Sequence, residues 1–359
     1  MALRPPVIVE RAVARTFLAL PPVVLRRIVG PPRRSPEGLE LDLEAQALLR
    51  LMAITGARAM HDGGVERARR RLDREGSTLD PRGFADVETR DLVVPCPAGP
   101  RAARAYRPAA SRGVAPSPAL VFFHGGGFTL GSLRSHDGIC RALASKAGVV
   151  VIAVDYRLAP EHPFPAAVED AVEATRWVLD NAASLGVDPS AVAVGGDSAG
   201  GTLATVAAQM LRDAPRRPAF QLLMYPATDA TRRQASHRHF AEGLMLASST
   251  IDWFLANYFP SPSMTTDPRA SPLFAHDVSG LPPALVLTAG FDPLRDEGKA
   301  YADRMRAAGV DVEYVCSEGS VHGFMNMAGV LYEPARMLAL AADRLARALT
   351  VQRAIASAA

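Results

Sequence analysis

The sequence predicts an α/β protein with one central, mostly parallel sheet of about eight strands flanked by helices. From about residue 119, short apolar runs alternate with amphipathic stretches, and this rhythm is typical of repeated strand–helix units. The run Gly148–Val154 (GVVVIAV) is apolar throughout and rich in β-branched residues. A strand buried on both faces of a parallel sheet has this composition.

The predicted elements follow one another along most of the chain. Strand patterns occupy 86–95, 101–108, 119–123, 148–154, 191–195, 220–225, 284–289 and 312–315. Helical spacing of apolar residues marks 41–72, 165–181, 202–211, 297–307 and a long C-terminal segment. Within the first helix we expect Arg67–Arg71 to form a solvated basic run. Residues 230–260 lack a strand pattern and are aromatic-rich, so we expect an inserted helical piece over the carboxyl edge of the sheet.

Composition and charge are those of an ordinary folded protein. Apolar residues make up 48% of the chain, and the net charge of +3 gives no indication of nucleic-acid binding. The three cysteines Cys96, Cys140 and Cys316 form no CxxC motif and no cluster with zinc-ligand spacing, so we expect free thiols in a reducing compartment. No run of about 18 apolar residues occurs, so we expect no transmembrane helix.

The N-terminal 34 residues are strongly basic. Glu10 is their one acid, and their seven arginines are Arg4, Arg11, Arg15, Arg26, Arg27, Arg33 and Arg34. Arginines and Pro21–Pro22 interrupt the apolar stretch, which argues against a secretory signal. Two interpretations remain open for a chain that we expect to be cytoplasmic. The segment packs on the protein as part of a lid, or it lies on an anionic membrane surface.

A candidate nucleophile lies in Gly196–Gly200, which matches G-x-S-x-G. The motif stands between a predicted strand and a predicted helix, as a nucleophile elbow requires. Side chains two residues on either side of Ser198 would collide in such a sharp turn, so glycine is needed at both places. A structural glycine-rich turn that opens a helix is the alternative.

A second glycine-rich segment, His124–Phe128 (HGGGF), follows the strand 119–123 directly. Backbone N–H groups that already point at an oxyanion stabilise it without reorganisation. We expect Gly125 and Gly126 to donate such groups, together with Ala199 after the nucleophile. The segment lacks the Lys-Ser/Thr of a phosphate-binding loop and the alternating glycines of a dinucleotide site. We expect His124 to hydrogen-bond the loop.

A serine nucleophile needs a base, and the base needs a group that orients it. His322 is the one histidine beyond the last predicted strand, in a loop that Gly323 can bend. Three acids are near enough in sequence to orient it. Asp292 comes three residues after the strand 284–289 and is the preferred candidate, whereas Asp296 and Glu297 more naturally begin the next helix.

Five ordered blocks resemble the hormone-sensitive-lipase-like family of α/β-hydrolase esterases. They are His124–Phe128 (HGGGF), Val154–Asp170 (VDYRLAPEHPFPAAVED), Gly196–Gly201 (GDSAGG), Asp292–Gly298 (DPLRDEG) and His322–Phe324 (HGF). The resemblance implies the α/β-hydrolase fold, a triad of Ser198, Asp292 and His322, and an oxyanion hole of Gly125, Gly126 and Ala199. It also implies that the matching residues Tyr156, Arg157, Glu161 and Asp170 brace the loop behind the site.

The resemblance further implies a division into domains. Residues 1–80 would form an N-terminal cap segment, 81–229 and 261–359 the catalytic domain, and 230–260 a cap insertion. Phe128, Leu244, Met245, Trp253 and Phe254 are candidates for the acyl-pocket walls, with plain core packing as an equal alternative.

The activity implied is hydrolysis of short- to medium-chain acyl esters, with a small-molecule ester as partner and no metal or organic cofactor. Three alternatives stay open: an amidase or deacetylase with the same residues, a membrane-surface lipid hydrolase, and a non-enzymatic binder. Retention of Ser198, Asp292 and His322 argues against a binder. A homodimer also stays open.

Overall fold

The computed structural model describes residues 7–56, 59–111, 113 and 116–358. Within them the chain forms one eight-stranded sheet. Its strands are β1 (Val87–Val94), β2 (Arg101–Pro108), β3 (Ser117–Phe123), β4 (Val150–Val154), β5 (Val187–Asp197), β6 (Phe220–Met224), β7 (Ala284–Phe291) and β8 (Val312–Val321). The order across the sheet is β1-β2-β4-β3-β5-β6-β7-β8. The β1–β2 and β2–β4 pairs are antiparallel and the remaining pairs are parallel, as predicted.

Helices precede the sheet and connect its strands. They are α1 (Val7–Leu18), α2 (Pro22–Val29), α3 (Leu43–Ile54), α4 (Val65–Leu79), α5 (Asp137–Ala147), α6 (Ala166–Asp180), α7 (Ala182–Leu185), α8 (Ala199–Met210), α9 (Ser236–His239), α10 (Ser248–Tyr258), α11 (Arg295–Ala307) and α12 (Tyr332–Ala358). The helical piece expected in 230–260 is therefore present, as α9 and α10. Nowhere in the described helices is there an apolar stretch that could cross a bilayer.

The core lies on both faces of the sheet. Every residue of β4, β6 and β7 is buried, as expected of central parallel strands. Helices α6, α8 and α11 cover one face with side chains such as Val172, Leu203 and Met305. Helices α5 and α12 cover the other face with side chains such as Leu143 and Leu345.

The prediction of one helix over 41–72 is wrong, because two helices, α3 and α4, occupy this region. Gly56, Gly63 and Gly64 in the connection have φ values of +67°, +90° and +82°, which a continuing right-handed helix does not permit. Residues 57 and 58 lie outside the described residues.

The basic run of α4 is not fully solvated either. The guanidinium of Arg69 is largely buried: it pairs with Glu161 at 2.6 Å and donates to the carbonyls of Thr129 and Ala159. Arg71 is also mostly buried and pairs with Glu75 one turn further along the helix. The basic run therefore fixes α4 against the loops after β3 and β4, while Arg67 and Arg70 stay exposed.

Helices α1 and α2 pack on α3, and α1 also packs on α4. Leu18 and Leu25 are buried in an apolar cluster with Leu48 and Phe291. Arg11 is 8% exposed, and its guanidinium donates to the carbonyls of Thr78, Asp80 and Gly329. The N-terminal segment is thus held by buried contacts to the main body. Arg4 lies outside the described residues.

Gly76 should be required for the docking of α4. A Cβ at this position would overlap the backbone carbonyl of Ser135. In an exposed helix, a Gly→Ala substitution stabilises by about 1 kcal/mol, but overpacking against backbone costs about 1–3 kcal/mol. We therefore expect Gly76→Ala to lower the midpoint of thermal unfolding by a few degrees. The matched control Ser77→Ala, in the same helix turn, should change it little, and a Gly76→Ala chain as stable as the wild type would contradict the close approach.

Candidate active site

The residues expected to carry chemistry follow the carboxyl ends of neighbouring parallel strands. Ser198 follows β5, Asp292 follows β7 and His322 follows β8, while His124 follows β3. Because these strands run in the same direction, their ends meet at one edge of the sheet, where open α/β sheets place their sites. Ser198 and His322, which are 124 positions apart along the chain, are brought into contact there.

Ser198 occupies a strained turn between β5 and α8. Its φ of +53° and ψ of −119° are unusual for a residue with a side chain. A Cβ at Gly196 or Gly200 would overlap the carbonyl of Phe123 at the end of β3. The steric argument made from the sequence is therefore confirmed, since both glycines are needed where the turn packs on the neighbouring strand.

Ser198, His322 and Asp292 form one hydrogen-bonded array. The Ser198 hydroxyl lies 3.0 Å from Nε2 of His322, in position to donate to it. Nδ1–H of His322 donates to Oδ2 of Asp292 at 2.8 Å. Asp292 is fully buried, and its other carboxylate oxygen accepts the N–H of Leu294 at 2.8 Å. The carboxylate is thus fixed in the orientation that holds the imidazole.

The electrostatics of the array favour a proton on His322. Burial lowers the pKa of His322, but the adjacent Asp292 carboxylate outweighs burial, and the pKa lies above its ordinary value of 6.5. Asp296 and Glu297, the other acids considered, have different partners. Asp296 accepts the N–H of Ser236, and Glu297 contacts His237 at 2.7 Å.

The expected role of Gly125 as an oxyanion donor has to be corrected. Its N–H donates to Oδ1 of Asp197 at 2.8 Å, so this group is already used. Within the described part of the chain, the N–H groups of Gly126, Gly127 and Ala199 have no acceptor. All three residues line the same cavity as Ser198. Gly127, which the sequence interpretation passed over, lines this cavity together with Gly126 and Ala199.

The loop that carries these amides is held from behind. His124 is buried and its pKa is lowered to about 3 by burial and by the nearby His136, so the ring is neutral. Its Nδ1–H donates to the carbonyl of Gly125 at 2.8 Å, and the Tyr156 hydroxyl donates to the carbonyl of His124 at 2.7 Å. The expected structural role of His124 agrees with these contacts, and Arg157 similarly donates to Asp170 at 2.8 Å.

A second histidine–aspartate pair lies beside the array. Nε2 of His136 lies 3.2 Å from Asp197, and both side chains are almost fully buried. Burial lowers the pKa of His136 and raises that of Asp197, but their mutual attraction outweighs burial in both, so the two form an ion pair. Asp80 is close to this pair, and burial raises its pKa to about 8.

The sequence interpretation missed Asp197 and His136 as residues of the site. Asp197 lies inside the G-x-S-x-G match, next to Ser198, and that position is the signal that could have identified it. His136 has no comparable signal, because its contact with Asp197 spans 61 residues.

Ser198 opens into a cavity of about 200 Å³ with mostly apolar walls. Leu72, Gly76 and Leu79 of α4 line it on the side of the N-terminal segment, and Ile251 and Phe254 of α10 line it on another. Of the five proposed wall residues, Phe128, Met245 and Phe254 line the cavity, whereas Leu244 and Trp253 do not. The described residues hold no cluster of three side chains suited to a metal ion.

Comparison with known proteins gives consistent matches. A family model described as the alpha/beta hydrolase fold matches residues 120–326. Carboxylic ester hydrolase LipN of Mycobacterium tuberculosis is 45% identical over 303 residues, which are 81% of this chain and 78% of that protein. Ethyl acetate hydrolase of Pseudomonas putida is 43% identical and covers 67% of this chain and 77% of its own length.

A solved structure agrees with these sequence matches. The hyperthermophilic esterase of Pyrobaculum calidifontis superposes with a TM-score of 0.80 at 40% identity, covering 86% of this chain and 98% of that one. The match extends well beyond the residues of the family model.

Asp197 should position the amide loop. We expect Asp197→Ala to lower kcat for nitrophenyl acetate by about 10²–10³, the effect of losing one oxyanion donor, with little change in KM. Asp197→Asn keeps an oxygen that can accept the Gly125 N–H, so it should lose less. Equal losses in the two variants, with both still folded by circular dichroism, would contradict the role of this hydrogen bond.

Proposed function

We propose that this chain, which belongs to the α/β-hydrolase fold family and is a carboxylic ester hydrolase, works through Ser198, His322 and Asp292. Ser198 acts as nucleophile, His322 as general base and Asp292 as the group that orients the imidazole. The observation that carries the proposal is the 3.0 Å contact between the Ser198 hydroxyl and His322 Nε2. A base must lie within this range of the proton that it removes.

The reaction has two halves. His322 takes the Ser198 proton while the serine oxygen attacks the ester carbonyl, and then gives the proton to the departing alcohol. This leaves an acyl group on Ser198. Water, deprotonated by His322, attacks the acyl-enzyme and releases the acid. Asp292 stays ionised and stabilises the imidazolium formed in each half.

We assign the oxyanion hole to the N–H groups of Gly126, Gly127 and Ala199. Ala199 is the first residue of α8, so its N–H also lies at the positive end of the helix dipole. The support is that these amides have no acceptor in the described residues and line the cavity beside Ser198. By the general magnitude of such donors, losing one raises the barrier by about 3 kcal/mol.

We assign the cap to residues 1–80 and 230–260, over a catalytic domain of 81–229 and 261–359. The assignment is supported by the residues of α4 and α10 that line the cavity, since these helices belong to the N-terminal segment and to the insertion. His61 also contacts Thr250, with 3.2 Å between Nδ1 and Oγ1, so the two segments meet across the site. Because cap residues line the cavity, we infer that the cap determines which esters the cavity accepts.

Short- to medium-chain acyl esters fit the cavity best. Pockets for drug-sized ligands are typically about 300–1,000 Å³, and this cavity is smaller, at about 200 Å³. Its walls are apolar, so an aliphatic acyl chain gains free energy on leaving water. A cavity of this size can cover a short or medium acyl chain, whereas part of a long chain would stay in water.

A series of nitrophenyl esters with increasing acyl length tests both the nucleophile and the chain length. We expect kcat/KM to be greatest for short to medium chains and to fall for long ones. Ser198→Ala should lower turnover by about 10⁴–10⁶, because it removes the hydroxyl that lies 3.0 Å from Nε2 of His322. Ser184→Ala, at an exposed serine of α7, is the matched control and should leave turnover unchanged. Turnover of Ser198→Ala within tenfold of wild type would remove Ser198 as nucleophile.

The pH profile tests the assignment of Asp292. The base must be neutral, so kcat/KM should rise with pH through the pKa of His322, which lies above 6.5 because of Asp292. Asp292→Asn removes the carboxylate and leaves burial, which lowers the pKa. The midpoint of the acid limb should therefore move to lower pH, while kcat falls about 10⁴-fold. Asp296→Asn is the control, and a shift of the limb in that variant instead would transfer the orienting role to Asp296.

A further inference from the structure

The N-terminal helices expose an apolar surface, which we call the outer face of α1 and α2. Its apolar side chains are between 36% and 70% exposed, and they are Ile8, Val9, Val13, Val23, Val24 and Ile28. Scattered single apolar residues are normal on a protein surface, whereas contiguous apolar patches mark interaction sites. These six side chains lie on two helices that follow one another in sequence. None of these side chains lines the substrate cavity.

The outer face also carries positive charge without acids. Arg15, Arg26 and Arg27 are exposed on the same two helices, and none of them takes part in an ion pair within the described residues. Glu10 is the one acid of α1 and α2, and it is paired with Arg74 of α4 at 2.8 Å. The free charge of the outer face is therefore entirely positive.

The exposure does not result from loose packing of α1. The opposite face of this helix is buried through Arg11, Ala14 and Leu18. Helical geometry places Val9 and Val13 on the side away from these three residues, at about 100° per residue. One side of α1 thus faces the protein and the other presents apolar side chains to the surroundings.

We propose that the outer face of α1 and α2 docks on an anionic phospholipid bilayer. Valine and isoleucine side chains would enter the boundary between headgroups and acyl chains, and the arginines would contact the anionic headgroups. An anionic bilayer provides an apolar environment for the exposed valines and isoleucines and negative charge for the arginines. A symmetric dimer through this face would instead bring like-charged arginines of two copies together.

The outer face of α1 and α2 is connected to the substrate cavity through α4. Helix α1 packs on α4, and α4 supplies Leu72, Gly76 and Leu79 to the wall of the cavity. Helices α1 and α4 therefore lie between the docked surface and the cavity. Docking itself does not depend on the proposed catalytic residues.

Vesicle flotation of the full chain tests the proposal. We expect the protein to float with vesicles of phosphatidylcholine and phosphatidylglycerol, to float much less with phosphatidylcholine alone, and to be released by salt. Arg26→Glu/Arg27→Glu should lower the partition coefficient at least about tenfold, given the contribution of each basic residue near an anionic surface. Val23→Ser/Ile28→Ser should also weaken binding, because it removes the inserted side chains.

Controls separate this proposal from its rivals and from the catalytic proposal. Arg216→Glu/Arg217→Glu makes the same charge change at exposed residues outside α1 and α2 and should bind as the wild type does. Ser198→Ala should also bind normally. Wild-type protein that fails to float with anionic vesicles, or equal losses in both charge-reversal variants, would overturn the proposal. So would a dimer in light scattering that Val23→Ser/Ile28→Ser dissociates.

Discussion

The site depends on the contact between two backbone segments at the carboxyl edge of the sheet. The turn that holds Ser198 packs directly on the last carbonyl of β3, and no side chain fits at Gly196 or Gly200. The same contact brings the HGGG loop, which continues β3, beside the serine hydroxyl. The proposed nucleophile and oxyanion donors are therefore placed by main-chain geometry, which is stiffer than a side chain and is already formed before substrate arrives.

Asp197 connects the Ser198 turn and the HGGG loop through a hydrogen bond and an ion pair, in addition to their steric contact. It directly precedes the nucleophile, accepts the Gly125 N–H and pairs with His136. Its use of the Gly125 amide determines which amides remain for substrate. The array of Ser198, His322 and Asp292 and the pair of His136 and Asp197 thus share one buried region. In the proposed mechanism the three-residue array transfers the proton, whereas the pair holds the amide loop in place.

The sheet could be predicted from sequence, and the candidate catalytic residues could be chosen from it, because each had a local signal. Short apolar runs marked the six strands from residue 119 onward, a Pro/Gly turn marked the first two strands, and glycine spacing marked the turn at Ser198. Other features depend on contacts distant in sequence. The choice between Gly125 and Gly127 depends on Asp197, 72 residues away. Helix α5 was not predicted: its N-cap residue His136 makes no side-chain capping bond, so the usual start signal is absent. The break between α3 and α4 did have a local signal in Gly56, Gly63 and Gly64, which the helical spacing of the flanking residues outweighed in the prediction.

The hydrogen bonds of Arg11 determine how much the sequence of the N-terminal helix α1 can vary. A guanidinium that satisfies three main-chain carbonyls from two distant segments fastens α1 by polar bonds. Such an attachment makes few demands on the remaining residues of the helix. The apolar side chains on the exposed side of α1 are not needed to hold the helix on the protein. They can contact other molecules, and they can be substituted in evolution without detaching the helix.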